Sequence, residues 1–497
     1  MKWLDSLLDK ITMYRLMLYY LIGLELVAVI LAVFGVLHYS PLDVAFSALY
    51  LTAICWITNK AFQYTFKAPT NVESPYITAL ILALIISPSH DVHGLIFLTA
   101  AGVLAMASKF ILAINGRHLF NPAAIAVILT DYGAGDAASW WVGTASMLPW
   151  VLIGGVLLTR RIRRSGMVTW FVGVALLATV IYGLIDGTSP ITIVQKEILN
   201  SALFFFGFVM LTEPLTSPTT NGKRAWYGAL IGAMFPPQFN IMGVFASPEV
   251  TLAVGNIFAY IAGPRAKTRL HFTKRVRLSS SSMDFVFKPE RPFTYRPGQY
   301  MEFTFQHPHT DSRGARRYFT LSSSPTEKEI RLGVKFYEPG SSYKRALLDA
   351  TPDTPIIAGQ LGGDFTLPKD PSKRLVFIAG GIGVTPFRSM IKYLLDKGEK
   401  RDVTLFYAAK TAEDHVYREV FDEAAAKLGI NVIYITSSDN TKRARYEQLI
   451  AQHVPDYRDC TFYISGPQPM VTDTDHVLET MGVSFTRIKK DFFSGYA

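Results

Sequence analysis

Hydrophobic positions are arranged differently in the two halves of the chain. Up to residue 264 the sequence is a series of apolar runs separated by short polar segments. A helix needs about 20 apolar residues to cross a bilayer. The pattern therefore predicts ten membrane segments, several of them short and begun by Pro or Gly, as in helices that line an internal cavity. The runs are 16–38, 41–60, 75–88, 92–113, 121–131, 147–159, 168–185, 197–212, 225–243 and 250–263.

Basic residues between these runs indicate the orientation of the segments. With a cytoplasmic N-terminus, the cluster Arg160–Arg164 and the other basic residues of the connections lie on the cytoplasmic side, and Lys196 lies opposite. Cytoplasmic loops carry the excess of Lys and Arg. We therefore predict a multi-pass protein of the inner (cytoplasmic) membrane with both termini in the cytoplasm.

The first half also resembles itself at an offset of 126 residues, which aligns Pro88 with Pro214 and Pro122 with Pro248. An inverted repeat of five plus five segments would place a central site at the interface of the repeats. Chance alignment of Pro and Gly in apolar sequence is the alternative.

After residue 264 the periodicity becomes that of strands. Alternating runs at 283–289, 299–306 and 330–337 lie between turns that carry Pro and Gly, and they predict an antiparallel β-barrel. From residue 371 short apolar strands alternate with helical stretches, as in a doubly wound parallel sheet. The predicted domains are a membrane all-α domain (1–264), a β-barrel domain (265–370) and an α/β doubly wound domain (371–497).

Composition narrows the chemistry. Of the 497 residues, Asp, Glu, Lys and Arg contribute 26 up to residue 264 and 62 after it, with a net charge of +10. Cytoplasmic loops explain much of the basic excess of the first half, so the expected partner is the lipid bilayer and not nucleic acid. Cys55 and Cys460 exclude a disulfide framework and a Cys-ligated metal site built by this chain alone. We predict no metal, so redox chemistry would depend on organic cofactors or partner subunits.

The segment RRYFTLSSSP is the first candidate site of the second half. Side chains two apart on a strand share a face, so Arg317 and Phe319 project together, with Tyr318 between them and Thr320 next. Arg can bind a pyrophosphate through two parallel hydrogen bonds. An aromatic ring can cover a flavin, and Thr can donate to a flavin ring nitrogen. A plain barrel strand is the alternative.

A second candidate is the turn formed by Gly340, Ser341 and Ser342, which precedes a helical run. Ser at a helix N-cap, with free amide groups behind it, is suited to binding phosphate. An ordinary helix cap without a ligand is the alternative.

A third candidate follows a predicted strand and opens a helix. Glycines in such a turn let the backbone approach a dinucleotide closely. The residues are Gly380, Gly381 and Gly383, followed by Thr385 and Pro386.

The fourth candidate lies near the end of the chain. Ser465, Gly466 and Pro467 end a predicted strand at a possible nicotinamide pocket, and the terminal aromatics Phe493 and Tyr496 could shield a ring. A turn and a packed tail are the alternatives.

In this order the four signals resemble the ferredoxin–NADP reductase superfamily over residues 268–497. The family's Arg-x-aromatic-Ser/Thr motif falls on residues 317–320, its FAD-phosphate turn on 340–342 and its Gly-Gly-x-Gly-x-Thr-Pro motif on 380–386. The resemblance implies noncovalent FAD and hydride transfer from a reduced nicotinamide to the flavin.

The resemblance places Thr320, Thr385 and Ser465 as the catalytic residues along the hydride path. The family's Cys-Gly-Pro is Ser-Gly-Pro here, which would alter the rate but removes no electron carrier. The basic segment 437–445 is suited to the 2′-phosphate of NADPH. A solvated helix start is the alternative, so NADH and NADPH both stay open as substrates.

In the first half, polar residues and Pro interrupt apolar sequence within GRHLFNP and LTEPLTSPTTNG, and the candidate ligand-binding residues are Asn121, Pro122, Glu213 and Thr219. Backbone groups freed by Pro at membrane depth need internal partners or a ligand. A structural turn is the alternative. The two segments resemble the flavin-carrying membrane component shared by the Na⁺-translocating NADH:quinone reductase and the Rnf complex, and the likeness covers most of residues 60–264.

This second resemblance implies membrane flavins, one of them FMN attached through its phosphate to a Thr of an outward loop. The corresponding loop is 132–150, where Ala145 stands in the place of that Thr and Thr144 or Ser146 is the substitute acceptor. Noncovalent FMN or riboflavin is the alternative. Haem is disfavoured because the His residues of this half lie at segment ends or in loops.

Together the two resemblances predict a membrane NAD(P)H dehydrogenase. Electrons from NADH or NADPH would pass through FAD to a membrane flavin and on to a quinone or an extracytoplasmic acceptor. Coupling of the same electron flow to Na⁺ or H⁺ translocation is one alternative, and a redox-sensing transporter is another. The sequence identifies no other subunits.

Overall fold

The computed structural model describes residues 11–66, 72–114, 117–241, 243–263, 268–308, 310–311, 314–338, 340–436 and 443–493. The chain forms two compact units. We call Met1–Gly263 the helical unit and Pro264–Ala497 the sheet unit.

Eleven α-helices are described in the helical unit, together with two short ribbons that pair Ala113–Ile114 with Arg117–His118 and Asn240–Ile241 with Val244–Phe245. A single π-helical turn, Phe206–Met210, continues α9. The helices are α1 (Met13–Val33), α2 (Pro41–Phe66), α3 (Ser74–Ile85), α4 (Val92–Ile111), α5 (Pro122–Ala134), α6 (Leu148–Arg161), α7 (Ser165–Ile185), α8 (Pro190–Leu199), α9 (Leu203–Phe205), α10 (Asn221–Met234) and α11 (Pro248–Ala262).

The lengths of these helices do not confirm ten membrane crossings. Among the described residues, α1, α2, α4 and α7 are long and apolar enough to span a membrane, and α8 with α9 and its π-turn forms a pair bent by 60° that gives a fifth span. Each of the ten predicted runs overlaps a helix. Pro lies in the first turn of α3, α5, α6, α8 and α11, and each of these helices has between 10 and 15 residues, fewer than the about 20 that cross a bilayer.

Small residues allow the closest helix contact of this unit, between α7 and α10. A Cβ added at Gly228 would lie 2.4 Å from the Met167 carbonyl oxygen, and one added at Gly232 would lie 2.6 Å from that of Phe171. Glycines at such spacing let helix backbones approach each other in a membrane. The Phe171 ring then packs on Phe206, with ring centroids 5.2 Å apart.

The sheet unit begins with an antiparallel sheet, as the alternating pattern predicts. Its strand order is β4-β3-β6-β1-β2-β5. Buried Phe side chains, among them Phe285, Phe287 and Phe303, fill its core. The elements are β1 (Thr268–Arg277), β2 (Ser282–Pro289), β3 (Tyr300–Phe305), β4 (Arg316–Thr320), β5 (Ile330–Lys335), α12 (Ser342–Leu348) and β6 (Ile356–Gly362).

The remainder of this unit is a parallel sheet of five strands in the order β9-β8-β7-β10-β11. The central strand β7 is buried along its whole length, which explains its unbroken apolar sequence. The chain leaves β7 toward β8 and β9 and later returns to its other side as β10, so the strand order reverses between β7 and β10. The elements are β7 (Leu375–Gly380), α13 (Thr385–Lys397), β8 (Val403–Ala409), α14 (Arg418–Leu428), β9 (Asn431–Thr436), α15 (Arg443–His453), β10 (Thr461–Pro467), α16 (Gln468–Thr480) and β11 (Ile488–Phe493).

Candidate functional site

A cleft of about 610 Å³ lies between the two sheets of the sheet unit. One wall is formed by β4 and β5, and the other by the carboxyl ends of β7, β8 and β10 with the start of α16. In open α/β sheets, ligands bind outside the carboxyl ends of the strands where the strand order reverses. The cleft has this position, and its volume is within the range of small-molecule sites.

Strand β4 presents alternate side chains to the two sides of its sheet. Arg317 is 5% exposed, and its guanidinium carbon lies 5.1 Å from the centre of the Tyr343 ring. Phe319 shares this buried face, packs on Phe303 with ring centroids 5.9 Å apart, and also lines the cleft. Tyr318 is 40% exposed on the other side. The structure therefore brings Arg317 and Phe319 together as strand alternation predicts.

Two buried hydroxyl groups at the candidate site have no hydrogen-bond partner among the described residues. Thr320 ends β4, lines the cleft and is 3% exposed, and its Oγ1 is unsatisfied. Ser465 on β10 is fully buried, pairs in register with Ala379 of β7, and its Oγ is also unsatisfied. Buried hydroxyls without partners are rare and call for an explanation such as a bound group. A ring nitrogen of a flavin placed in the cleft fits the Thr320 hydroxyl.

The turn after β7 packs backbone to backbone against the turn after β10. A Cβ added at Gly383 would lie 2.5 Å from the Gly466 Cα, and one added at Gly380 would lie 3.2 Å from Cδ of Pro467. Gly381 has φ +53°, a conformation that favours glycine. Gly380 and Gly383 are therefore required by the close packing of the two turns, and Gly381, with nothing within 4 Å of its Cβ position, leaves the backbone open to a ligand.

Thr385 and Pro386 form the first turn of α13 beside this glycine turn. Thr385 lines the cleft, and its Cγ2 lies 2.7 Å from the place where a Cβ of Gly333 on β5 would stand. The two sheets are thus in close contact at the position of Thr385. Glycine at 333 is required there because any larger residue would collide with α13.

The turn at 340–342 is already occupied by protein groups. Ser341 caps α12, since its Oγ accepts from the amide of Lys344 at 3.2 Å. The Ser342 amide donates to Asp311 Oδ2 at 3.0 Å, and the Ser342 hydroxyl lies 3.0 Å from Nε2 of His307. A phosphate bound at Ser342 would have to replace Asp311, and a Cβ added at Gly340 would be in ordinary contact with the Tyr337 carbonyl oxygen at 3.4 Å.

Some predicted site residues lie outside the described part of the chain. Tyr496 and the segment 437–442 are among them. Phe493 is the last residue of β11, but its side chain is not described.

A buried polar group near the cleft was not anticipated from the sequence. Asp284 on β2 is fully buried and accepts hydrogen bonds from the Tyr417 hydroxyl at 2.9 Å and from Arg331 Nη1 at 3.1 Å. Burial raises the pKa of the Asp284 carboxyl, and Arg331 and Tyr417 oppose that rise. Burial and the facing Asp284 raise the pKa of Tyr417 well above its usual value. The only sequence signal was a carboxylate inside an apolar strand.

In the helical unit, the structure brings Asn121 and Glu213 together as the second candidate site. Asn121 Nδ2 donates to Glu213 Oε2 at 2.9 Å, and Asn121 Oδ1 caps α5. His118 Nε2 lies 3.1 Å from Glu213 Oε1, and the Thr216 hydroxyl donates to Oε2 at 3.0 Å. We call these residues with Asn256 the Asn121–Glu213 cluster, because Asn256 Oδ1 accepts from the Asn121 amide at 2.8 Å. Thr219 takes no part in these bonds.

The space beside this cluster is small. A cavity of about 60 Å³ is lined by Asn121, Pro122 and Glu213 with apolar side chains of α1, α3 and α6. That volume holds one or two waters and is far below that of ordinary ligand pockets, so these residues do not fit a flavin ring. Lys109 was not anticipated from the sequence, and its amine donates to the hydroxyls of Ser74 and Thr78 nearby, both at 2.9 Å.

The loop at 132–150 is held tightly in the helical unit. Trp140 has the left-handed φ of 51°, and its Nε1 donates to buried Glu249 at 2.7 Å. Gly143 passes close to the chain, since a Cβ there would lie 2.4 Å from the Ser201 carbonyl oxygen. The hydroxyls of Thr144 and Ser146 lie 3.2 Å apart. The two candidate acceptors for a covalent flavin are therefore neighbours.

Two segments of the chain match known protein families. Residues 133–249 match the NQR2, RnfD, RnfE family, and residues 377–476 match the oxidoreductase NAD-binding domain. The first match covers Glu213 and Thr144, and the second covers the glycine turn and Ser465. The resemblances noted for both halves of the sequence are confirmed.

Individual relatives support an oxidoreductase. A flavohemoprotein from Rhodopirellula baltica is 27% identical over 297 residues, which is 51% of this chain and 72% of that protein. An NADPH oxidoreductase from Mycobacterium tuberculosis is 28% identical over 265 residues, which is 51% of this chain and 68% of that protein. The chain spans a smaller share of other relatives, such as 57% of a flavohemoprotein from Bacillus subtilis.

Among solved structures, the FAD/NAD-binding domain of a nitric oxide dioxygenase from Vibrio cholerae is similar, with 22% identity, a TM-score of 0.40, and coverage of 46% of this chain and 98% of that one. The prediction of a flavin-dependent oxidoreductase is confirmed by the family matches and the relatives. The chain therefore joins a membrane domain of the NQR2, RnfD, RnfE family to an oxidoreductase module of the ferredoxin reductase type for FAD and NAD(P)H.

Proposed function

We propose that the protein is a membrane-bound NAD(P)H dehydrogenase that oxidises NADH or NADPH with FAD and delivers the electrons to an acceptor in or beyond the membrane. The observation that carries this proposal is the unsatisfied Thr320 hydroxyl, which lines the same cleft as the glycine turn at 380–383. Strand β4 thus offers a hydrogen-bond donor to a flavin, and the facing turn offers an accessible main chain to a dinucleotide.

The residues of the cleft divide the binding task between the two sheets. FAD would supply a hydride acceptor that can also release electrons singly. Arg317, Phe319 and Thr320 would hold it from β4, with Arg317 neutralising its pyrophosphate. Gly380, Gly381 and Gly383 would admit the nicotinamide dinucleotide, and Thr385 would contact its ring, with Ser465 buried directly behind Gly383. Two sides of one narrow cleft would then bring the reacting rings together and exclude water.

The acceptor side of the proposal rests on the family match of the helical unit. A quinone or an extracytoplasmic acceptor is proposed, with FMN or riboflavin in the helical unit as an intermediate carrier. The space beside Asn121 and Glu213 does not fit such a carrier, so the loop at 132–150 is the better-supported place for it. We place the protein in the inner membrane with the sheet unit in the cytoplasm.

The decisive experiment is reduction of the purified full-length protein in detergent under anaerobic conditions. Addition of NADH or NADPH should bleach flavin absorbance, and the more effective nucleotide identifies the substrate. Protein that carries flavin but is not bleached by either nucleotide would contradict the proposal. Acid release, chromatography and intact mass then count the flavins: FAD with a second flavin supports the membrane carrier, and FAD alone removes it from the proposal.

A further inference from the structure

The helix that opens at Thr385 is tied to the loop that follows Thr320. Arg388 lies one helical turn after Thr385, and its Nη1 donates to the Ser322 carbonyl at 3.0 Å. The same guanidinium pairs with both carboxylate oxygens of Glu327, one of them at 2.9 Å from Nη2. Ser322 stands two residues after Thr320. The two sides of the cleft are therefore joined a short distance behind their cleft-lining hydroxyls.

The contacts of Arg388 are the first tie between the two sides of the cleft, and a second tie, formed by Tyr417 and Asp284, lies beside it. Tyr417 precedes α14 with the left-handed φ of 60°, a conformation that is rare for a bulky residue. Its hydroxyl donates to Asp284 Oδ1 on β2 at 2.9 Å, and Arg331 binds the other oxygen of that carboxylate. The guanidinium carbon of Arg388 lies 5.6 Å from the centre of the Tyr417 ring, so the two ties are in contact.

The second tie reaches the cleft at Gly333. A Cβ at this glycine would lie 2.6 Å from the Tyr417 hydroxyl oxygen and 2.7 Å from Thr385 Cγ2. Tyr417 and Thr385 therefore converge on one point of β5. Neither Tyr417 nor Asp284 lines the cleft, so neither is placed to contact a ligand there.

We propose that Tyr417 and Asp284 are positioning residues for hydride transfer, whose hydrogen bond fixes Thr385 and the glycine turn relative to Thr320. The inference rests on the proposed function, because it assigns to this bond the approach of nicotinamide to flavin. Removing one partner leaves a buried carboxylate partly unsatisfied, and the contact at Gly333 transmits the resulting shift to Thr385. Small displacements of reacting groups reduce rates strongly.

The test compares Tyr417→Phe with Tyr434→Phe in the full-length protein. Tyr417→Phe keeps the ring beneath Arg388 and removes the hydroxyl that Asp284 accepts. Tyr434→Phe is the matched control. Tyr434 lies on β9, and its hydroxyl donates to Asp422 at 2.7 Å in an exposed hydrogen bond. Single-turnover flavin reduction is measured at saturating nucleotide, with nicotinamide carrying deuterium or hydrogen at the transferred position. Hydrogen exchange of residues 385–392 is measured without nucleotide.

The proposal expects that Tyr417→Phe lowers the limiting rate about tenfold or more, raises the deuterium isotope effect and speeds exchange in 385–392, while nucleotide affinity changes little. The control should match wild type in every measurement. A limiting rate and isotope effect equal to those of wild type would overturn the proposal, as would a lower rate with an unchanged isotope effect and unchanged exchange.

If Tyr417→Phe does not retain flavin, Asp284→Asn takes its place. The amide keeps the shape of the carboxyl and one acceptor, so the rate should fall in the same direction and by less, and an unchanged rate would overturn the proposal. Failure of the proposed function looks different, because wild-type protein itself would then show no reduction by either nucleotide. The exchange measurement still tests the tie in that case, and unchanged exchange in Tyr417→Phe would count against it.

Discussion

The two candidate sites differ in whether their buried polar groups have hydrogen-bond partners. At the cleft of the sheet unit, the hydroxyls of Thr320 and Ser465 are buried without partners among the described residues. In the Asn121–Glu213 cluster of the helical unit, the Glu213 carboxylate has three partners, and Asn121 is bonded through its amide hydrogen and both side-chain polar atoms. From this difference we infer that the cleft receives a ligand and that the cluster stabilises the fold, and the variants below test both inferences.

The largest effect is expected from a substitution where the backbones of the two turns beside the cleft are in contact. Gly383→Ala places a methyl group 2.5 Å from the Gly466 Cα, so the glycine turn must move into the ligand space. We expect the rate of flavin reduction by NAD(P)H to fall about 100-fold while bound flavin is retained, as measured by anaerobic stopped-flow absorbance.

Gly166→Ala is the control for this variant, because nothing lies within 4 Å of the added methyl on α7. It should reduce its flavin at the wild-type rate. If flavin in the Gly383→Ala protein is reduced at the wild-type rate, the dinucleotide does not bind against this turn.

Mutation within the Asn121–Glu213 cluster should lower the stability of the protein. Asn121→Ala removes the cap of α5 and one hydrogen bond to the Glu213 carboxylate, whereas the backbone amide at residue 121 still donates to Asn256. A lost cap and a lost hydrogen bond to a charged group together cost about 3 kcal/mol. We expect a lower thermal unfolding midpoint for the detergent-solubilised protein without added ligand. Asn200→Ala, at an exposed position after α8, is the control and should unfold like wild type. An unchanged midpoint for Asn121→Ala would contradict a structural role.

Thr320→Val tests whether the unsatisfied hydroxyl at the cleft binds a ligand. Valine has the shape of threonine without the unsatisfied hydroxyl, so the protein freed of flavin should unfold at the wild-type temperature or slightly above it. FAD affinity should fall about five- to tenfold, the value of one hydrogen bond, in a titration of flavin-free protein. Thr326→Val, whose hydroxyl binds Asp396 outside the cleft, is the control. Unchanged FAD affinity in Thr320→Val would remove Thr320 from the flavin site.

The smallest expected effect concerns pH. Burial raises the pKa of Asp284 above its ordinary 3.8, so the folded protein holds this proton more tightly than the unfolded chain. The stability due to this group is therefore present at low pH and is lost as the pH rises through the folded-state pKa. Asp284→Asn has no such loss, so its unfolding free energy relative to wild type should improve between about pH 4 and about pH 7, as measured in urea.

An exposed carboxyl serves as the control for this pH effect. Hydrogen bonds from Ser372 lower the pKa of Asp370, so its contribution to stability is present at high pH and lost as the pH falls. Asp370→Asn should therefore show no improvement between about pH 4 and about pH 7, and its stability should approach that of wild type only as the pH falls below about 4. The same trend in both variants would mean that the charge of Asp284 is not the cause.

The predictable parts of this protein are those specified by local sequence. The alternation at 330–337 and the apolar run ending in Gly380 become strands, because burial on one or both faces determines such patterns. The glycine turn and the pairing of Arg317 with Phe319 follow from strand geometry. The number of membrane crossings did not follow, since apolar runs such as 75–88 and 121–131 form helices of only 12 and 13 residues, too short to span a bilayer. The Tyr417–Asp284 bond joins positions 133 residues apart, and no local pattern predicts such a contact.

The π-helical turn at Phe206–Met210 ends three residues before Glu213. The Leu211 amide bonds to the Phe206 carbonyl, five residues back, at 2.9 Å. This turn holds one residue more than an α-helical turn, and each residue advances an α-helix by about 100°. The turn residues that follow directly, Leu211 and Thr212, are thus rotated by more than a quarter of a circle relative to an uninterrupted α-helix. Loss of one residue from this turn would therefore change the angular phase of the chain and direct the carboxylate away from Asn121, although every side chain of the cluster would still be present.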